Sequence, residues 1–366
     1  MSSAERTGLN DTPLAARSAP DGRAIDVVPA GVSARSLSGR LKRIARAPEF
    51  GVAVAAVVIY VFFAVVGGSK GFVSLAATAS WLNTSAQLGI IAIPLGLLMI
   101  SGSFDLSIGS MVGAGSVTVG IVTGYDHQSL WLAILVAAAI AALVGLGNGL
   151  LVTRTGVPSF IGSLAANLIV AGLGLTVALQ VAGTTSIPVT SSGFAAKLFE
   201  WRWHQISVST FWWLGVALVA TWVLSRTRTG NWITATGGDR EKARRAGVMT
   251  GRITIGLFVC TALASAFVGC LQAVQYTSGD PTTGQNYVFQ AAIVVVIGGV
   301  LISGGYGTIP GVVLGTVVYG IVNGGLFYTG WDTNYTEVLI GVLMIVAVLT
   351  NGFLRKVAVA ATKGQK

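Results

Sequence analysis

The sequence predicts an all-α fold, a polytopic membrane helix bundle of about ten transmembrane helices with both chain ends on the cytoplasmic side. Three observations carry that expectation. Of the 366 residues, 53% are hydrophobic and 10% are charged, against roughly 25% charged in soluble domains. The 49 glycines sit inside the apolar runs as well as between them, as they do where small residues let transmembrane backbones approach. Apolar stretches recur along most of the chain with short polar breaks. A soluble α/β chain would instead alternate short apolar strands with charged amphipathic helices.

Residues 1–48 form an arm rich in Ser, Ala, Pro and Arg without a sustained apolar run, which reads as a disordered cytoplasmic segment. The membrane domain is expected over residues 49–355, and residues 356–366 read as a cytoplasmic tail. Phe50 to Val66 is a retained first span rather than a signal-peptide core. The arm is too long for a leader, and Val66 to Lys70 lacks a small-x-small cleavage site. Further spans follow near 81–101, 105–124, 131–153, 157–180, 210–225, 252–275, 287–302, 306–327 and 335–354. Crossing the hydrocarbon takes about 20 helical residues, so 210–225 and 287–302 are short.

Orientation follows from the cations. With the amino terminus inside, the cytoplasmic face receives eight Lys and Arg from the arm, Arg154, seven between Arg226 and Arg252, and four from Arg355 onward. Only Lys70, Lys197 and Arg202 remain outside, which is the positive-inside bias. Trp81, Trp131, Trp201, Trp203, Trp212, Trp213 and Trp331 fall near the outer boundaries, where aromatic belts form. The longest outer connection, about Val181 to Ser209, is either a docking loop for a delivery protein or a surface loop with interfacial aromatics.

Cysteine and histidine chemistry has little support. Cys260 and Cys270 are ten residues apart in one apolar run, about 15 Å on a helix and too far for a disulfide. His127 and His204 lie in separate polar connections, so no metal site is expected. The chain has no Gly-x-x-x-x-Gly-Lys-Ser/Thr phosphate loop, so ATP and Mg would be used only by another chain. No enzymatic activity or cofactor is expected here.

The cytoplasmic segment 226–251 stands out. Gly237 and Gly238 can make a turn, Asp239 can cap a short helix carrying Ala243 and Arg244, and Gly247 before Val248 can end it. A capped helix between two spans suits a handle for a cytoplasmic partner. The plainer reading is a basic loop resting on lipid headgroups.

That segment resembles the cytoplasmic loop of the ribose-type (monosaccharide) ABC transporter permease family, through Gly237, Gly238, Ala243, Gly247 and Val248. Other blocks resemble the same family in the same order: Ser101 to Gly109, Asn148 to Thr153, Val157 to Leu164, Asp280 to Gly284, Val296 to Gly299 and Gly304 to Thr308. Ser103 and Val300 depart from its usual glycine and threonine. The resemblance implies a permease of the bacterial inner membrane that pairs with a second permease chain, identical or similar. It also implies cytoplasmic ATP-binding subunits and a periplasmic solute-binding protein as partners. The solute would be a sugar or sugar-like molecule. Two alternatives stand beside this: a branched-chain amino-acid ABC permease, and a secondary transporter or channel that needs no ATPase.

Asp105 interrupts an apolar region and is a functional candidate for that reason, although Ser103 and Asp105 would equally cap a helix starting at Leu106. A proton relay would need further buried acids or histidines, and none is evident. Asn83, Asn148, Asn167, Gln272 and Asn323, with Gln87 and Gln275, are uncharged polar residues in or near spans. They can line a path for a hydroxyl-rich solute or form interhelical hydrogen bonds. Glycines 102, 109 and 113 recur at 304, 311 and 315, a spacing that fits duplicated halves of equal polarity or independent small-residue packing.

Overall fold

A computed structural model describes residues 49–190, 193–332 and 334–363, with backbone only from residue 350. The amino-terminal arm, expected to be disordered, lies outside the described residues. The remainder is helical: α1 (Glu49–Gly67), α2 (Leu75–Ile100), α3 (Ile108–Val119, continued by a wider turn over Gly120–Tyr125), α4 (Leu130–Thr155) and α5 (Ser159–Ala182). Then follow α6 (Gly193–Glu200), α7 (Val208–Arg226), α8 (Arg228–Gly238), α9 (Arg240–Arg245), α10 (Thr250–Gln275), α11 (Tyr287–Ile297), α12 (Ile309–Thr329) and α13 (Tyr335–Lys363). Each expected span has its helix. Eight are long and apolar enough to cross a membrane, while α11 and the apolar part of α13, Tyr335–Leu349, are shorter. The last helix runs on to Lys363, past the expected start of the tail.

The hub is α2. Its most apolar window is 89% buried, against 6% for α5, so one helix is enclosed by protein while the other leaves its leucines and isoleucines exposed on the bundle surface. Helices α7, α10, α11 and α12 pack around α2, and α10 also lies along α3 and α4. Small residues permit this closeness. Gly89 of α2 accepts the indole of Trp213 where any Cβ would collide with it, and Gly145 of α4 leaves room for the backbone of Phe258 on α10. Dispersion across such contacts, rather than transfer from water, holds helices together in lipid.

Two helix breaks organise the bundle. After α2, residues 101–107 turn the chain into α3; after α11, residues 298–308 turn it into α12. Both preceding helices end in the same way. Gly102 and Gly299 have φ of +82° and +87°. In each case the next amide reaches back to the third-last helical carbonyl, Ser103 to Leu98 and Val300 to Val295, at 3.1 and 3.2 Å. This is a glycine-dependent helix end. The sequence spacing pairs Gly102 with Gly304, whereas the helix ends pair Gly102 with Gly299, because the second break is four residues longer than the first.

The connection from α10 to α11 enters the bundle. Ser278–Gly279 forms a two-residue antiparallel pairing with Ile187–Pro188. The chain then descends along α3: Gly279 lies against Gly120, the Pro281 carbonyl against Gly113, and Gly284 and Val288 against Gly109. The Asp280 amide donates to the Ser116 hydroxyl at 3.0 Å. From Gly120 to Gly109 is roughly 16 Å of helix at 1.5 Å per residue, about half the hydrocarbon thickness. Helix α11 is short because this re-entrant segment covers the rest of the crossing.

Candidate functional site

Three arrangements bear on function: the strapped first break, a glycine junction at the α8–α9 end, and a buried amide network.

Asp105 is fully buried in the first break. One carboxylate oxygen accepts the Ser107 backbone N–H at 2.9 Å and the Ser107 hydroxyl at 2.6 Å, and the other accepts the Thr261 hydroxyl from α10. Asn148 on α4 donates to the Ser107 hydroxyl at 3.0 Å. Asn167 on α5 accepts the Ser110 amide, while Ser159 and Ser163 accept the amides of Phe104 and Leu106. Helix α3 begins at Ile108 rather than Leu106, and the free amides before it are met by other helices. Asp105, Asn148 and Asn167 therefore converge on one job here, fixing the irregular backbone that a membrane interior would otherwise leave unpaired. Asn83 and Asn323 are half-buried on α2 and α12, where Trp81 and Ser85 pack against Gly320 and Gly324.

Segment 226–251 contains two helices where a loop and one helix are expected. The residues of α8, from Arg228 to Gly238, include three glycines and three threonines, so local propensity argues against it. Thr227 caps it by accepting the Gly230 amide, and Ile233 and Thr236 are buried against the bundle. Gly237 and Gly238 end this helix rather than make a turn. A Cβ on Gly237 would collide with the Ile100 carbonyl and stand 2.6 Å from the Gly305 nitrogen. Gly304 lies against Gly102 and Gly305 against Gly238, with a Cβ at either only 2.9 Å from its neighbour's α carbon. Backbone thus meets backbone among α8, the first break and the second break.

In α9, Asp239 accepts the Lys242 amide at 2.9 Å. That amide hydrogen bond and the Lys242 ammonium hold the carboxyl below the usual carboxylate range, so the cap is charged at neutral pH. At the other end Gly247, at φ +84°, lets the Val248 amide reach Ala243 and its own amide reach Arg244, at 3.0 and 3.1 Å. Ala243 is buried within its own chain. Arg244 and Gly247 are exposed and Val248 is half-buried. Arg240, Arg244, Val248, Met249 and Arg252 border a groove of about 500 Å³ beside the end of α4.

The amide network lies between α2 and α10. Gln272 donates to Gln87 at 2.8 Å and to the Tyr287 hydroxyl at 2.7 Å, and Gln87 donates to Gln275 at 3.0 Å. Gln275 continues to the hydroxyls of Ser207 and Ser209. The descent of residues 279–287 to this network has no local signal beyond the Asp280-Pro281 pair and Gly284, because a polar stretch between spans reads as an outer loop. Among the described residues no cluster of His, Cys, Asp and Glu could hold a metal ion.

The sequence pattern described as "Branched-chain amino acid transport system / permease component" matches residues 77–348. The ribose import permease protein of Escherichia coli K12 is 28% identical over 289 residues, covering 77% of this chain and 88% of that protein. The galactose/methyl galactoside import permease protein of the same strain is 32% identical over 292 residues, 76% and 86% of the two chains. The fructose import permease protein of Rhizobium meliloti is 31% identical over 301 residues, 81% and 83%. No solved structure matches.

Proposed function

The chain belongs to the family of branched-chain amino acid transport system permease components, and from that premise we propose that it forms the translocation path of an ATP-driven importer for a monosaccharide. The solute class rests on its similarity to ribose, galactose and fructose import permeases. The observation that carries the mechanism is the glycine junction, in which the end of α8 meets both helix breaks through close backbone contacts at Gly237 and Gly238. A push on α9 from an ATP-binding subunit would reach both breaks without passing through flexible side chains. With the α8–α9 end cytoplasmic, as the cation distribution requires, the arginine-edged groove faces such a subunit. A second copy or similar chain would complete the path, with solute delivered by a periplasmic binding protein.

The buried polar side chains favour a neutral solute. Among the described residues they are hydroxyls and amides, and Asp105 is the one carboxylate, already held by Ser107 and Thr261. An amino acid would bring an ammonium and a carboxylate that these groups could not neutralise. The test is uptake by proteoliposomes holding the permease, its ATP-binding subunit and its binding protein. Labelled D-ribose, D-galactose or D-fructose should accumulate only with internal ATP. Accumulation of leucine instead, or sugar entry without the ATPase, would overturn the proposal.

A further inference from the structure

A cavity of about 290 Å³ opens where the re-entrant segment joins α11, bordered by Gln272 of α10, by Thr282, Thr283 and Gln285, and by Asn286 and Gln290. Its size sits at the lower end of ligand pockets, roughly 300–1,000 Å³, which suits a small solute. The side chains around it are amides and hydroxyls, with the Tyr287 phenol and the backbone of Gly284 completing the wall. No carboxylate, ammonium, guanidinium or imidazole borders it. Such groups both donate and accept hydrogen bonds, as a ring of solute hydroxyls does.

Two independent features indicate that this space receives a ligand. Gln272 is 5% exposed, and its Oε1 has no protein partner although its Nε2 donates twice. A buried carbonyl left unpaired costs about 1–3 kcal/mol, and Gln272 is among the residues that border the cavity. The second feature is the backbone itself. Non-helical chain at membrane depth is tolerated where it is covered by protein or lines a water-filled cavity, and broken helices near the midplane are where transporters hold solute. Gly279, Pro281 and Gly284 lie against α3 through glycine contacts, whereas Thr282, Gln285 and Asn286 are exposed.

We propose that this cavity is a solute-binding station within the path, recognising a neutral polyhydroxylated molecule of monosaccharide size. The assignment rests on the importer reading above. The Gln87–Gln275–Ser207–Ser209 network behind Gln272 holds that amide in place, so the station is set before solute arrives.

The experiment uses the full complex with Cys260 and Cys270 replaced by serine, and single cysteines at Asn286 or Gln290. Both new cysteines should react with a membrane-impermeant methanethiosulfonate, and the transported sugar should slow that reaction at least threefold. In parallel, Asn286→Leu and Gln290→Leu should each lower uptake of that sugar tenfold or more while co-purifying normally with the ATPase. Cysteines that the reagent cannot reach, or leucine variants that transport normally, would overturn the station. A wild-type complex importing none of D-ribose, D-galactose and D-fructose would overturn the importer reading instead, and the labelling would still decide whether the cavity lies on an aqueous route.

Discussion

Gly305 donates its backbone N–H to the carbonyl oxygen of Ile100 at 2.8 Å. Ile100 is the last residue of α2, so this carbonyl has no partner within its own helix, and the second break supplies one. The two breaks are therefore not independent. Gly237 lies against the same pair, so a displacement of α8 must either carry both breaks with it or break this contact.

Gly237→Ala should expose how tight the junction is. Its methyl group would overlap the Ile100 carbonyl, which cannot rotate away without unwinding the end of α2. A loss of about 1–3 kcal/mol is expected, as for overpacking elsewhere. Gly238→Ala enters open space and should be close to neutral. Thermal unfolding of the two variants in detergent makes the comparison, and equal midpoints would mean the junction is looser than the structure has it.

Asp105 tests whether the first break depends on its carboxylate. Asp105→Ala leaves the Ser107 amide without its acceptor in a buried site, which should cost about 1–3 kcal/mol. Asp105→Asn retains one acceptor oxygen and should lose less. If transport fails in Asp105→Asn while the unfolding midpoint is unchanged, the residue does more than brace the break.

The membrane helices were legible in the sequence because each needs a long apolar run, and a helix stands at each expected span, eight of them long and apolar enough to cross. The caps of α9 were legible as well, since Asp239 and Gly247 act within four residues of themselves. Helix α8 was not, because its glycines and threonines oppose helix formation and it is held by burial of Ile233 and Thr236. The role of Gly237 depends on Ile100 and Gly305, far away in the chain. The descent of residues 279–287 was hidden for the same reason: Pro281 and Gly284 fit the bundle only because Gly113 and Gly109 leave space for them. Asp105, Asn148 and Asn167 could be picked out as polar residues among apolar ones, but their convergence on one strapped loop needed the fold.

Topology gives a direct check on the orientation drawn from the cations. In a chain without its native cysteines, Thr184→Cys should label from outside intact cells. Lys242→Cys should label only after the membrane is opened. Labelling of both from the same face would reverse or break the alternating arrangement.

The coupling role of α9 can be separated from its folding by two substitutions at one position. Gly247 holds φ at +84° and a Cβ there meets no atom within 4 Å. Any replacement therefore carries the backbone strain of a left-handed conformation, about 1 kcal/mol for an ordinary residue, and none should clash with the chain itself. Gly247→Ala and Gly247→Trp carry the same strain but differ in bulk toward whatever lies outside. Both should insert into the membrane and unfold at similar temperatures. In nanodiscs with the ATP-binding subunit, Gly247→Ala should retain most solute-stimulated ATP hydrolysis, and Gly247→Trp should lose it together with uptake. Ala243→Asp would not make this distinction, because Ala243 is buried within the chain and a charge there would disturb α9 itself. If Gly247→Trp couples as well as Gly247→Ala, no partner surface meets the exposed end of α9, and the segment serves only to join two helices above a basic membrane face.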